Sequence, residues 1–413
     1  MTAPAGTPRR RAARRRLGVD EAGDRIAELR KRSVPAASRR EDLDKPVPRD
    51  IQVATEFPLH TLSLLVGGTK VSWATVVDFR QQIGRATVRM GGIASVGTHA
   101  EHRFHGYSRR VLEASLRWMR GRGFDTAMLY GIPCYYPKFG FAPAFPSVAF
   151  EMAVRDAESV APKGHTFVAF RPEVHLDAVL RMYHACNAGR TGPTRRVARH
   201  WKPFRKGATF GTKAVCRVAI GRRGAAAGYI VYDALHPSGT VIEVGYATPG
   251  VFPDLLRDAA RHAWRQRVDT LRLLLPEDDA FIEYCKPLGL KKEVGYRRDG
   301  GAMVRMVNIP SALRKVAEEL GPRLDGRGRL NLLTNLDDVG LAWSGGRLRV
   351  GEPQAEAEAA RLPQWALAQL LYGSRSAASL AAGGVLKASG RVVGVLGRMF
   401  PVAPHFHYAA DHF

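Results

Sequence analysis

The chain has 413 residues, 45% of them hydrophobic, and a formal net charge of +25. That length exceeds one ordinary core and sets an expectation of two or three domains. No apolar run approaches the roughly 18 residues a membrane-spanning helix needs, so no membrane partner is expected, and four scattered cysteines without a CxxC pair (Cys134, Cys186, Cys216, Cys285) fit free thiols in a reducing, cytoplasmic setting.

Residues 1–50 form a basic, polar tail with 14 basic and 8 acidic side chains, read as disordered. No apolar h-region follows its arginines, so it is not read as a secretory signal. One short helix is expected within it, over Asp20 to Ser33, then a linker rich in proline and charge. The tail carries only +6 of the net charge, so the folded body is itself basic. Such a surface favours anionic ligands, a phosphorylated cofactor first among them. The charges are dispersed rather than striped between aromatics, which makes nucleic acid the weaker expectation.

From Leu59 three β-rich runs with glycine breaks predict an antiparallel meander. After Gly106 the residues Val111, Leu112, Leu116 and Met119 share one helical face, and the pattern stops at Gly121 to Gly123. "FDTAMLYG" reads as a buried strand, "IPCYYPKFGFAPA" as a loop, and "VAFEMAV" as the closing strand of a first unit, 51–153. A second unit, 154–308, repeats the order of strand, helix, strand and loop. "GRGFDTAMLYGIPCYYPKFGF" and "RQRVDTLRLLLPEDDAFIEYCKPLGL" correspond as diverged copies. A third unit, 309–413, opens on a helix, continues as a strand series turning at "SGG", and becomes helical again.

The chemistry concentrates in "SVGTHAEHRFHGYSRR". A strand runs into a helix whose first amides lack internal partners and whose dipole adds positive charge. A phosphate fits there. Gly106 lets the backbone approach it, Arg103 adds a forked cation, and Ser108 adds a hydroxyl. His99, His102 and His105 imitate a ligand cluster, but no carboxylate or cysteine stands at ligand spacing on a supporting element, and no metal is expected.

Arg103-x-x-Gly106-x-Ser108, followed about 30 residues later by "YPKFGF" (Tyr136 to Phe141), resembles the coenzyme A loop and the tyrosine element of GNAT acyltransferases. With the diverged second copy and the segments "NLLTNLDDVGLAWSGGRLRV" and "LAQLLYGSRSAASLAAGG", the chain from about residue 55 resembles the Eis-type (enhanced intracellular survival) acetyltransferases. The resemblance implies an α/β (α+β) architecture: tandem GNAT domains, the second degenerate, then a sterol carrier protein-like domain. It implies acetyl-CoA as co-substrate, an amine acceptor and a homo-oligomer. Val96 and Thr98 would offer backbone groups to the acetyl and pantetheine portion, and Arg103, Phe104, His105, Gly106, Tyr107 and Ser108 would wrap the pyrophosphate. Tyr136 would be the general acid, and the terminal carboxylate of Phe413 the base. "GYATPGVFPDLL" in the second copy lacks the arginine and the glycine spacing, and Cys285 stands where the tyrosine would be, so that copy is expected to bind no coenzyme A. The competing expectation is a non-enzymatic lipid- or partner-binding protein on the same scaffold.

Overall fold

A computed structural model describes residues 40–132, 134–209, 211–296 and 301–413. The helix expected over Asp20 to Ser33 lies outside these residues. In the first unit β1 (Ile51–Glu56), β2 (Leu59–Val66), β3 (Thr69–Ile83) and β4 (Ala86–Thr98) form an antiparallel meander. Helix α1 (Tyr107–Gly121) crosses over to β5 (Thr126–Gly131), which lies parallel to β4. The predicted apolar face of α1 is the buried one: Val111, Leu112, Leu116 and Met119 are at most 3% exposed. Each such side chain contributes about 1.5–3 kcal/mol on burial.

Short β6 (Ala142–Phe145) and β7 (Ser147–Ala153) follow, then α2 (Val154–Glu158), β8 (Thr166–Ala169), α3 (Pro172–Cys186), β9 (Ala214–Ile220), β10 (Ala226–Asp233) and β11 (Thr240–Tyr246). Helix α4 (Phe252–Arg265), β12 (Thr270–Leu273), α5 (Ala280–Cys285), β13 (Lys291–Gly295) and β14 (Gly301–Met306) complete the middle of the chain. The first sheet has the order β1-β2-β3-β4-β5-β14-β6 and the second β8-β9-β10-β11-β12-β7-β13. The two orders match strand for strand, and both contain one short parallel pair, β4 with β5 and β11 with β12.

The strand expected to close the first unit therefore belongs elsewhere. β7 lies in the second sheet between β12 and β13, and β14 returns to the first sheet between β5 and β6. Both strands are strongly apolar, and a period-2 pattern states which face is buried without naming the sheet. The stretch just before β1, read with the tail, is also packed from Glu41 onward. Leu43 is buried, and Glu41 pairs at 2.6 Å with Arg305, whose side chain is fully buried.

The third unit begins with α6 (Ile309–Leu320), capped by the Asn308 side chain, which accepts from the Ser311 amide. β15 (Arg327–Leu333), β16 (Asp338–Ser344), β17 (Arg347–Gly351) and β18 (Ala359–Arg361) form a four-stranded sheet. Helices α7 (Gln364–Leu371), α8 (Ala377–Ala382) and α9 (Gly390–Met399) follow. One continuous apolar core joins this unit to the first sheet, running from Leu43 to Phe400. Among the described residues no helix is long and apolar enough to cross a membrane.

Candidate active site

β4 and β5 pair only over Met90–Gly92 and Thr126–Met128. Beyond that point they part. β5 runs on to Gly131 beside β14, while β4 bends away at a bulge where its register with β3 shifts between Trp73 and Thr75. Ser95, inside the bulge, has φ +48°. A bulge bends its strand and leaves a residue unpaired, so the parallel pair opens into a wedge lined by backbone. Val96 lies at the bulge, and Thr98 returns to β3, its hydroxyl 2.8 Å from that of Ser72.

The residues expected to hold a phosphate connect the end of β4 to α1. A turn of 3-10 helix at Ala100–His102 leads to Arg103 and Phe104, and Phe104 holds φ +69° with its ring in solvent. Gly106 then starts α1 with φ +76°, a conformation costly for any side chain, and a Cβ there would meet nothing within 4 Å. No side chain caps the helix, and the first intrahelical amide is that of Arg110, donating to the Gly106 carbonyl. The first turn holds no acid and carries Arg109 and Arg110. Arg110 is paired with Asp50, and Arg109 adds positive charge to a dipole end that itself favours an anion, so this terminus suits a phosphate group.

The three histidines diverge. His99 packs edge-on to Trp73, His105 stacks on Tyr107 and bonds its own loop at the Arg103 carbonyl, and His102 tilts toward Tyr107. Among the described residues no group of three or more His, Cys, Asp or Glu side chains is placed to hold a metal ion.

Tyr136 begins a 3-10 turn (Tyr136–Phe139) after β5. Its ring lies on Gly131, where a Cβ would fall 2.7 Å from the tyrosine Cδ2. Burial first, and the neighbouring Tyr135 second, raise its phenol above the usual tyrosine value. Tyr135 bonds Ser108 at 2.7 Å between hydroxyls. The hydroxyl expected for phosphate thus also ties the start of α1 to the tyrosine turn.

Phe413 reaches the same wedge from the other side. A Cβ on Gly91 would strike Met119 of α1, while one on Gly92 would lie 2.8 Å from the Phe413 ring. Successive strand residues face opposite sides, so α1 and Phe413 cover opposite faces at the point where β4 and β5 separate. Phe79 and Tyr130 each hold the Phe413 ring at 5.3 Å. Gly131, and so Tyr136, lies on the α1 face. Gly92→Val is accordingly expected to expel the Phe413 ring while leaving the core intact. Faster removal of Phe413 by carboxypeptidase, with an unchanged far-UV spectrum, would show it; unchanged trimming would not fit this packing.

The anchor of the terminal segment escaped the sequence reading. Arg196 gives both η nitrogens to Glu243 at 2.6 Å each, and its Nε to Asp411 at 2.8 Å. None of the three side chains is more than 1% exposed. Tyr229 donates to Glu243 at 2.7 Å, Tyr183 donates to Asp411 at 3.1 Å, and the Arg196 guanidinium lies 3.7 Å over the Tyr183 ring. Burial alone would lower the Arg196 pKa; Asp411 and Glu243 outweigh it and hold the guanidinium charged. The available signal was Glu243 itself, a carboxylate inside the apolar strand "TVIEVGY", which requires a buried partner.

At the corresponding point of the second unit the helix start is packed over. Val251, Phe252 and Pro253, at the start of α4, are buried, and the Tyr246 and Phe252 rings close on each other at 4.6 Å. Tyr246 also donates to Asp279 at 3.2 Å.

Residues 44–144 match the acetyltransferase domain of the GNAT class. The chain shares its fold with solved GCN5-related N-acetyltransferases. It superimposes on a probable N-acyltransferase from Enterococcus faecalis with a TM-score of 0.71 at 16% identity, covering 86% of this chain and 90% of that one. A GCN5-related N-acetyltransferase from Anabaena variabilis gives 0.68, also at 16% identity, with 86% and 90% covered. Eis1 from Mycobacterium abscessus gives 0.61 at 17% identity over 96% of this chain and 98% of its own. No curated protein matches the sequence.

Proposed function

We propose that the protein is an acetyl-CoA-dependent N-acetyltransferase acting by direct transfer to a primary amine. The observation that carries this reading is the wedge between β4 and β5, with an uncapped helix terminus and Tyr136 on one face and Phe413 on the other. Acetyl-CoA supplies the activated thioester. Arg103 and the amides from Phe104 to Ser108 hold its pyrophosphate, and the bulged backbone at Val96 and Thr98 faces the acetyl and pantetheine portion. The terminal carboxylate of Phe413 takes a proton from the incoming amine, directly or through water. Tyr136, kept protonated by its burial, delivers a proton to the sulfur as the carbon–sulfur bond breaks and the carbon–nitrogen bond forms. In this reading the third unit contributes the terminal segment.

Isothermal titration with acetyl-CoA tests the proposal. Micromolar binding to one site per chain is expected, and a folded protein that binds none would overturn it. Arg103→Ala is expected to weaken acetyl-CoA binding by about tenfold, the size of one charged hydrogen bond. The same substitution should leave thermal stability unchanged, since Arg103 is exposed.

A further inference from the structure

Where the two large sheets meet lies a half-open cavity of ≈ 100 Å³. Tyr130 and Phe145 line it from the first unit, Val148 and Leu274 from the second sheet, and Phe406 and His407 from the terminal segment. Among the described residues its lining includes no Asp, Glu, Lys or Arg. Tyr130 connects the cavity to the reacting centre, because the same ring packs 5.3 Å from that of Phe413. The cavity therefore adjoins the chain end on the sheet face opposite Tyr136.

One polar side chain inside it is unused. His407 is 9% exposed, and its Nδ1 donates to the Gly192 carbonyl at 3.2 Å. That bond assigns the tautomer and leaves a lone pair at Nε2. Nε2 is buried and has no hydrogen-bond partner among the described residues. Burial lowers the His407 pKa, with Asp411 opposing it, so the ring is a neutral acceptor. The Asp411 carbonyl faces the same ring, while the Asp411 carboxylate is engaged by Arg196 and Tyr183. A buried acceptor without a donor is costly, and an amine N–H supplies one.

We infer that this cavity seats the body of the acceptor, and that the acceptor is a primary amine on a small apolar body with no second cation. The inference rests on the acetyl-transfer reading above. A second ammonium on the acceptor would lie against Tyr130, Phe145, Leu274 and Phe406, with no carboxylate among the described lining residues to receive it. An apolar cavity of about 150 Å³ holds benzene, so this half-open space takes a short alkyl chain or part of a ring. The net charge of +25 also slows the approach of polycations.

The test measures coenzyme A release by the full chain with acetyl-CoA and propylamine, benzylamine, phenethylamine or spermidine, beside calorimetry with acetyl-CoA alone. The monoamines should exceed spermidine in kcat/KM by at least about tenfold. His407→Phe should raise the amine KM about tenfold or more and leave acetyl-CoA affinity unchanged. Ala208→Phe, which narrows the cavity from a loop wall, should raise KM for benzylamine more than for propylamine, and it serves as the probe if His407→Phe does not fold. Acetyl-CoA binding with a preference for spermidine would overturn this inference alone, as would an unchanged benzylamine KM in a folded variant. Absence of acetyl-CoA binding would instead overturn the parent reading.

Discussion

Arg196→Met is expected to lower the unfolding free energy by about 3–5 kcal/mol, the loss seen when one partner of a buried ion network is removed. Glu243 and Asp411 would then share a dry site without a cation, supported only by Tyr229 and Tyr183. Guanidinium denaturation measures the effect, and a loss under about 1 kcal/mol would contradict a closed network. Arg196→Lys should recover little, because an ammonium cannot hold Glu243 through two parallel bonds and reach Asp411 with a third donor. The triple replacement Arg196→Met, Glu243→Leu, Asp411→Leu should be closer to the parent in stability than Arg196→Met, since apolar packing commonly replaces a buried ion group at little cost. Asp411 stands two residues before Phe413. Every variant that loosens it should therefore also free the chain end, and turnover should fall further than stability alone accounts for.

Tyr136→Phe is expected to reduce kcat by about 10²–10³-fold, within the range for losing a general acid. The acetyl-CoA dissociation constant should stay within about twofold, because the ring and its packing on Gly131 are retained. A large loss of binding with kcat preserved would remove Tyr136 from proton transfer. The pH profile is a second readout. An acid works only while protonated, and burial raises this phenol above its ordinary value of about 10. The alkaline limb of kcat due to Tyr136 should thus lie above about pH 10 and vanish in the phenylalanine variant. A limb near pH 8 that survives the substitution would belong to another group.

The sequence carried the parts of the site that are local. The meander, the start of α1 after Gly106, its apolar face and the loop that carries Tyr136 each follow from residues within one short window, and the structure has them there; the positive φ of Gly106 and the 3-10 turn at Tyr136 are added by the structure. The third unit's hairpin turn at Gly345 and Gly346, both at positive φ, was legible for the same reason. What stayed hidden was non-local. The wedge depends on a register shift opposite Trp73–Thr75, and register is a property of two strands. Met152 and Met303 belong to equally apolar strands, so composition cannot say which sheet either joins. Arg196, Glu243 and Asp411 come from three distant segments, and only Glu243 sits in a context that announces burial. His407 carries no sequence signal at all, because its significance lies in the atom it leaves unbonded.

The exchange of β7 and β14 sets an order of assembly during synthesis. β5 cannot acquire its neighbour until residue 306 has left the ribosome, so the first sheet remains split between β5 and β6 while the second unit is being made. The amides of Thr126–Gly131 form a bare edge throughout that interval, the kind that pairs with foreign strands. Contacts between β5 and β14 span 170 residues or more, and pairing at such separation is slow. A nascent chain halted near residue 154 is therefore no working first half; it is an unfinished sheet, a client for chaperones or proteases.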